Sequence, residues 1–349
     1  MRHSVIVFFL SIFVTAQPGY HYQFPTDHFN HPDYQTEWWY YTGNLQDLSG
    51  HRYGFELTFF RQAIQLPKSA AVSTDPIWKP DEIYLAHLAL TDVDGRTFYH
   101  TERLNRAGPG LAGVDGNAHK YWNGNWQVYW KNPGTSEQEL EAVCDRFTLT
   151  LDLATLKPPV INGVDGVSQK GPDGGEASHY ISFTRLSARG KLNGVAVSGQ
   201  AWMDHEFFTQ APNPTLAGWD WFAIQLDNNE ELMLYRLRNK TGEISPYSSG
   251  TYVNAKGEAH HLTADQITLT PGRPWHKYPV EWQISVPSLD LQFSEKPTLD
   301  NQELASESSP SPTYWEGAVT YSGTFHQKAI KGIGYLEMTG YGQPIRLGH

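Results

Sequence analysis

The chain has 349 residues, of which 18% are charged and 39% hydrophobic, and its net charge is −11. That length fits two ordinary domains, and the composition is globular rather than disordered. The acidic balance argues against nucleic-acid binding, which needs clustered Lys and Arg, and the single cysteine, Cys144, excludes an intramolecular disulfide and a Cys-based zinc or iron–sulfur centre.

The chain opens with Arg2 and His3, an apolar run around Val5-Ile6-Val7-Phe8-Phe9-Leu10, and the small-residue ending Val14-Thr15-Ala16. This pattern predicts a signal peptide over residues 1–16 and a secreted or periplasmic mature protein. The run is short for a bilayer span, and no later stretch is long and apolar enough, so an integral membrane protein is not expected.

From there the dominant pattern is period two, the mark of half-buried strands. Phe147-Thr148-Leu149-Thr150-Leu151-Asp152-Leu153 alternates cleanly, as do Trp282, Ile284 and Val286, followed by Leu289, Leu291 and Phe293. Looser strands are predicted over 54–60, 83–91, 221–227 and 231–238. Asp94-Gly95, Asn123-Gly124 and Asn193-Gly194 supply turns. Segments 66–81 and 157–177, rich in Pro, Gly or Asp, read as loops, and 306–312 reads as a surface loop. The break at 209–214 reads as a linker, dividing the mature chain into domains 17–208 and 209–349. A weak echo between Glu37-Trp38-Trp39-Tyr40-Tyr41-Thr42-Gly43 and Tyr314-Trp315-Glu316-Gly317 suggests duplication. The fold class is all-β, built from antiparallel barrels or sandwiches.

There is no Gly-x-Ser-x-Gly elbow, Walker A loop or dinucleotide fingerprint. His205-Glu206 begins like a zinc-protease helix, but Thr209 stands at the second His position. No metal site is assigned. The chemistry-bearing run is 195–206, where alternation puts Trp202, Asp204 and Glu206 on one face. A carboxyl among rings loses water, so it holds its proton to higher pH and can donate it to a substrate. Aromatic faces can also stabilise a carbocation. The plainer alternative makes Asp204, His205 and Glu206 a strand-end cap. His179 opens a neighbouring strand pattern and is a candidate partner for Asp204, or else a backbone-bonded strand-end histidine. Glu37 is a buried acid or an edge charge. Trp219 and Trp221 flank Asp220 after the linker, and Arg236 and Arg238 share a face suited to pairing with acids. With 12 Trp, 19 Tyr and 16 Phe, the chain needs large apolar surfaces or a ligand to line.

Four runs carry a resemblance: Thr36-Glu37-Trp38-Trp39-Tyr40-Tyr41-Thr42-Gly43-Asn44-Leu45, Gly199-Gln200-Ala201-Trp202-Met203-Asp204-His205-Glu206-Phe207, Gly218-Trp219-Asp220-Trp221-Phe222 and Gly334-Tyr335-Leu336-Glu337-Met338-Thr339-Gly340-Tyr341. Together they resemble the secreted AttH-like family, which includes the carotenoid 1,2-hydratases (CrtC-like). The resemblance implies two lipocalin-like (calycin) β-barrels in tandem and cofactor-free hydration of an isoprenoid double bond. It implies Asp204 as the acid, two residues after an aromatic, here Trp202 where the hydratases have Tyr. It also implies an upstream His179, although Ile181 stands where those hydratases carry Trp.

The first reading is therefore an exported protein that binds a hydrophobic, lipid- or isoprenoid-like molecule and performs hydration or hydrolysis. Asp204 and His179 act beside Trp202, and Glu37, Trp38, Trp39, Tyr41, Glu206, Trp219 and Trp221 line the ligand. A non-enzymatic lipid carrier, with envelope lipid-handling machinery as its partner, is the alternative. A glycan hydrolase using Asp204 and Glu206 is a third, less suited because such carboxyls flank the bond from opposite sides.

Overall fold

A computed structural model describes residues 16, 19–64, 66, 81–132, 134–209, 213, 215–305 and 313–342. The signal peptide, except Ala16, and the 306–312 loop lie outside them, as do most of the 66–81 loop and of the 209–214 linker.

Alternation builds the strands. In Thr148–Thr155, Leu149, Leu151 and Leu153 are buried while Thr148 and Asp152 are exposed. Trp282–Val286 buries Trp282, Ile284 and Val286 in the same way. The expected continuation through Leu289 breaks. Pro287–Leu289 forms a single 3₁₀ turn, and Asp290 takes a left-handed φ of 46°, so Leu291 and Phe293 start a separate strand, Leu291–Pro297. The Asn193-Gly194 turn behaves as expected. Both residues have positive φ, 50° and 81°, and they close a tight hairpin between Ala177–Leu192 and Val195–Phe208.

Among the described residues thirteen strands form one antiparallel sheet and ten form a second, and each sheet curls into a barrel-like body. No α-helix is present among the described residues, and none of their helical turns is long and apolar enough to cross a membrane. In the first sheet Thr36–Asp47 lies between Arg52–Ala63 and Val195–Phe208, and the latter pairs with Ala177–Leu192. The second sheet repeats this order. Leu216–Leu226 lies between Glu231–Asn239 and Lys328–Met338, and the latter pairs with Tyr314–Phe325. The topological counterpart of Thr36–Asp47 is thus Leu216–Leu226. The sequence echo at Tyr314-Trp315-Glu316 falls on the counterpart of Ala177–Leu192 and misaligns the two halves.

Each sheet packs its own core, around Trp39, Trp126 and Trp130 in the first and Trp282 and Trp315 in the second. A third cluster, including Tyr40, Tyr180, Trp202, Trp221 and Tyr335, fills the space between them. Polar clamps add to it. Lys157 Nζ reaches Glu231 at 2.7 Å and the carbonyls of Asn229 and Asn254 at 2.6 and 2.8 Å. Gln225 donates to the carbonyls of Thr184 and Ala201. Gly54 sits where the sheets touch: an added Cβ would lie 2.6 Å from Ala318 Cβ. The 157–177 segment is therefore no simple surface loop. It buries Lys157, Asn162 and Glu176, and pairs Val160–Ile161 and Ser168–Gln169 with Ala177–Leu192.

Candidate active site

A cavity of about 130 Å³ lies between the two sheets, and both contribute to its walls. Thr36–Asp47 presents Trp38 and Tyr40, Val195–Phe208 presents Asp204 and Glu206, Leu216–Leu226 presents Trp219 and Trp221, and Tyr314–Phe325 and Lys328–Met338 present Glu316 and Glu337.

Three donors hold Asp204 in this cavity. Its Oδ1 accepts from Ser182 Oγ at 2.5 Å and Trp202 Nε1 at 2.8 Å, and its Oδ2 accepts from Tyr180 Oη at 2.6 Å. Tyr180 Oη in turn accepts from Trp221 Nε1 at 2.9 Å. Register explains the convergence. Asp204 lies opposite Ser182 on one neighbouring strand and Tyr40 on the other. Burial pushes the Asp204 carboxyl up to about 7, against the pull of its three donors and with help from the nearby Glu206 charge. Near neutral pH such a group can both give and take a proton.

Glu206 accepts from Ser178, and Lys170 Nζ lies 3.4 Å from it. Lys170 also sits 4.0 Å above the Tyr235 ring. On the opposite wall Glu337 accepts from Trp219 Nε1 at 3.0 Å and Glu316 accepts from Tyr40, and on the first sheet Thr58 donates to Glu56. Burial pushes Glu337 up to about 7 and Glu56 to about 8, and holds Glu316 well above the ordinary carboxyl range.

Trp202, Asp204 and Glu206 share one face, and Trp38, Trp219 and Trp221 line the same cavity. The other expected residues face elsewhere. His179 is on a strand next to Asp204, but it lies opposite Phe207 and points into the first sheet's interior. Its Nδ1 is 3.1 Å from the Gly166 carbonyl and 3.3 Å from Tyr22 Oη, so it does not partner Asp204; Ser182 and Tyr180 take that place. Trp39 stacks on His205, and Tyr41 bonds to Tyr121 and Gln138, both inside the first sheet. Glu37 is buried there too, beside His31, His205 and Arg61. This trio of His31, Glu37 and His205 is the one group with metal-ligand spacing among the described residues. Arg236 and Arg238 both pair with Asp220.

Tyr40, Lys170, Tyr180, Ser182, Glu316 and Glu337 were not among the expected site residues. Alternation from His179 would have put Tyr180 and Ser182 on a common face. Nothing local marks Glu316 or Glu337 as facing Asp204.

The AttH-like family model matches residues 15–341. The chain belongs to the AttH-like family. Its fold agrees with a solved AttH-family relative: a crystal structure of a protein assigned as AttH (NE1406) from Nitrosomonas europaea superposes with a TM-score of 0.83 at 31% identity, covering 94% of this chain and 99% of that one. The AttH-like chain also shares its fold with kievitone hydratase from Nectria haematococca, with a TM-score of 0.66 at 16% identity over 88% of this chain and 89% of that one. Among curated proteins it is similar to a kievitone hydratase of Fusarium solani subsp. phaseoli, 25% identical over 142 residues, 39% of either chain. It is also similar to the dehydratase asqC of Emericella nidulans, 24% identical over 216 residues, 54% of this chain and 58% of that protein. The AttH-like chain spans less than two thirds of the length of each curated relative.

Proposed function

We propose that this protein adds water to, or removes it from, an apolar small molecule held between the two sheets, with Asp204 as the proton donor. The observation that carries this reading is a buried carboxyl with a raised proton affinity, locked by Ser182, Tyr180 and Trp202 in a cavity walled by indoles. The hydratase and dehydratase names of its relatives point the same way. In the hydration direction Asp204 gives its proton to one alkene carbon, and the π pair forms the new C–H bond. The cation left on the other carbon lies against the faces of Trp38 and Trp221. Water adds there, a C–O bond forms, and the surplus proton returns to the Asp204 carboxylate, so the site resets without a cofactor. An isoprenoid or prenyl group fits the apolar walls. Glu206, tied to Lys170 and Ser178, is not a free second acid for glycan hydrolysis. Export after Ala16 belongs to the same proposal; protein recovered from the cell envelope should begin at or near Gln17.

Kievitone serves as the first probe. Wild-type protein should convert it to a product heavier by one water in mass spectrometry, and Asp204→Asn should abolish that product. Binding of kievitone or of a co-purifying lipid without any turnover would instead favour the lipid-carrier reading.

A further inference from the structure

The first sheet's interior holds a polar centre that the cavity chemistry does not use. His31 Nδ1 and His205 Nε2 converge on one oxygen, Glu37 Oε1, at 2.7 and 2.8 Å. Glu37 and His205 are fully enclosed and His31 nearly so. The far nitrogens of the two rings both face acceptors from Asp27. His205 Nδ1 lies 3.1 Å from its carbonyl oxygen, and His31 Nε2 lies 3.5 Å from its carboxylate. Neither acceptor can donate, so each far nitrogen keeps a proton, and each near nitrogen meets Glu37 through a second proton or through a bound cation. A cation at that point would be met by both rings and the carboxylate at once.

The charges around the point agree. Asp27, Glu37 and Glu82 bring three negative charges. Arg61, which is 2.6 Å from Glu82 and 3.6 Å from Glu37 Oε2, brings one positive. Two further positive charges make the buried group neutral; protons on the two rings would supply them, and so would a single divalent ion. The donor set of two imidazole nitrogens and one carboxylate oxygen is one that zinc accepts, at about 2.0–2.2 Å per bond. The Asp27 contacts match the acceptors that orient metal-bound histidines, and Arg61 would hold the carboxylate's other oxygen. The rings are also fixed in place. Phe207 stacks on His31 at 3.6 Å and Trp39 on His205 at 4.8 Å.

We infer that His31, Glu37 and His205 form a binding site for one divalent transition-metal ion of the zinc type. The ion's role is structural. It ties the segment before the first strand to Thr36–Asp47 and Val195–Phe208, and so steadies the strand whose opposite face carries Asp204.

The test uses untagged full-length protein stripped with a chelator and titrated with zinc chloride by calorimetry at neutral pH. One equivalent should bind, and zinc should raise the melting temperature. His31→Gln and His205→Gln should each weaken binding by at least about a hundredfold, since even outer contacts to a metal cost about 10–100-fold. Asp204→Asn, on the other face of the strand, should bind zinc as the wild type does. Cobalt(II) in place of zinc should give visible absorption bands that His31→Gln abolishes. His31 lies outside every strand, so this variant stays informative if His205→Gln does not fold. No stoichiometric uptake by the wild type, or uptake that survives His31→Gln, overturns the inference.

Discussion

The two walls of the cavity reach similar proton affinities by different balances. Asp204 on the first sheet and Glu337 on the second lie on topologically equivalent strands, and burial pushes both up to about 7. Asp204 accepts three hydrogen bonds, each favouring its charged form. Glu337 accepts one, from Trp219, and the nearby Glu206 and Asp204 charges further disfavour its ionisation. The first wall is a rigid, oriented acid–base group. The second is a carboxyl whose proton affinity is raised mainly by lack of solvation, with one donor to orient it. A cavity can therefore hold two acids of similar strength and still assign only one of them a fixed direction for its proton.

The largest expected effect breaks the oriented wall. Asp204→Asn should lower turnover by about a hundredfold to ten-thousandfold, read as water gained by kievitone. From sequence alone a proton donor at this position should lose activity with little loss of stability. The structure revises that expectation, because three buried donors point at the carboxylate and Asn cannot satisfy all of them. A stability loss of about 1–3 kcal/mol in urea denaturation should accompany the loss of rate. Normal turnover in the folded variant would falsify the role of Asp204.

Next in size is the clamp that holds the walls together. Lys157→Met takes its cation from two carbonyls and leaves Glu231 with Arg185 as its remaining cation. The loss should therefore stay below the about 3–5 kcal/mol of a buried charge left wholly uncompensated. Unchanged chemical denaturation of this variant would show that the sheets hold together without it.

Tyr180→Phe sharpens the comparison more gently. It removes one donor to the charged form of Asp204, so the Asp204 proton affinity rises by about one pKa unit. An acid catalyst loses rate as pH climbs through its pKa, so the basic limb of the pH–rate profile should move upward. An upward move of the acidic limb instead would mean that Asp204 works as the base.

The smallest effect is on stability against pH. The Glu337 carboxyl is raised from 4.5 to about 7 in the folded protein. Its contribution to stability is fully present below about 4.5 and is lost as pH rises through about 7. Glu337→Gln should flatten that part of the profile, with denaturation midpoints at pH 5 and pH 8 closer together than in wild type.

How much of this was legible follows the physics of each feature. The β-strand periodicity and the tight Asn193-Gly194 turn were readable because they depend on nearest neighbours alone. So was the common face of Trp202, Asp204 and Glu206, since alternation along one strand needs no partner. The resemblance carried by the EWWYYTG and WMDHEF runs led to the right family and to two barrel-like sheets. What one strand cannot state is which of its faces meets the cavity. Thr36–Asp47 is aromatic on both faces because both are buried, so Trp39 and Tyr41 were indistinguishable from Trp38 and Tyr40 until packing separated them. His179 failed as a partner for the same reason: adjacency of strands was foreseeable, but register was not, and a shift of one residue turns a side chain to the opposite face. Glu316 and Glu337 reach the wall opposite Asp204 only through the docking of the second sheet on the first. The amino-acid sequence by itself determined the strands and the pairing of faces within each. The tertiary structure decided which faces became cores, which became the cavity, and which acids share it, because burial and register are properties of strands brought together from distant parts of the chain.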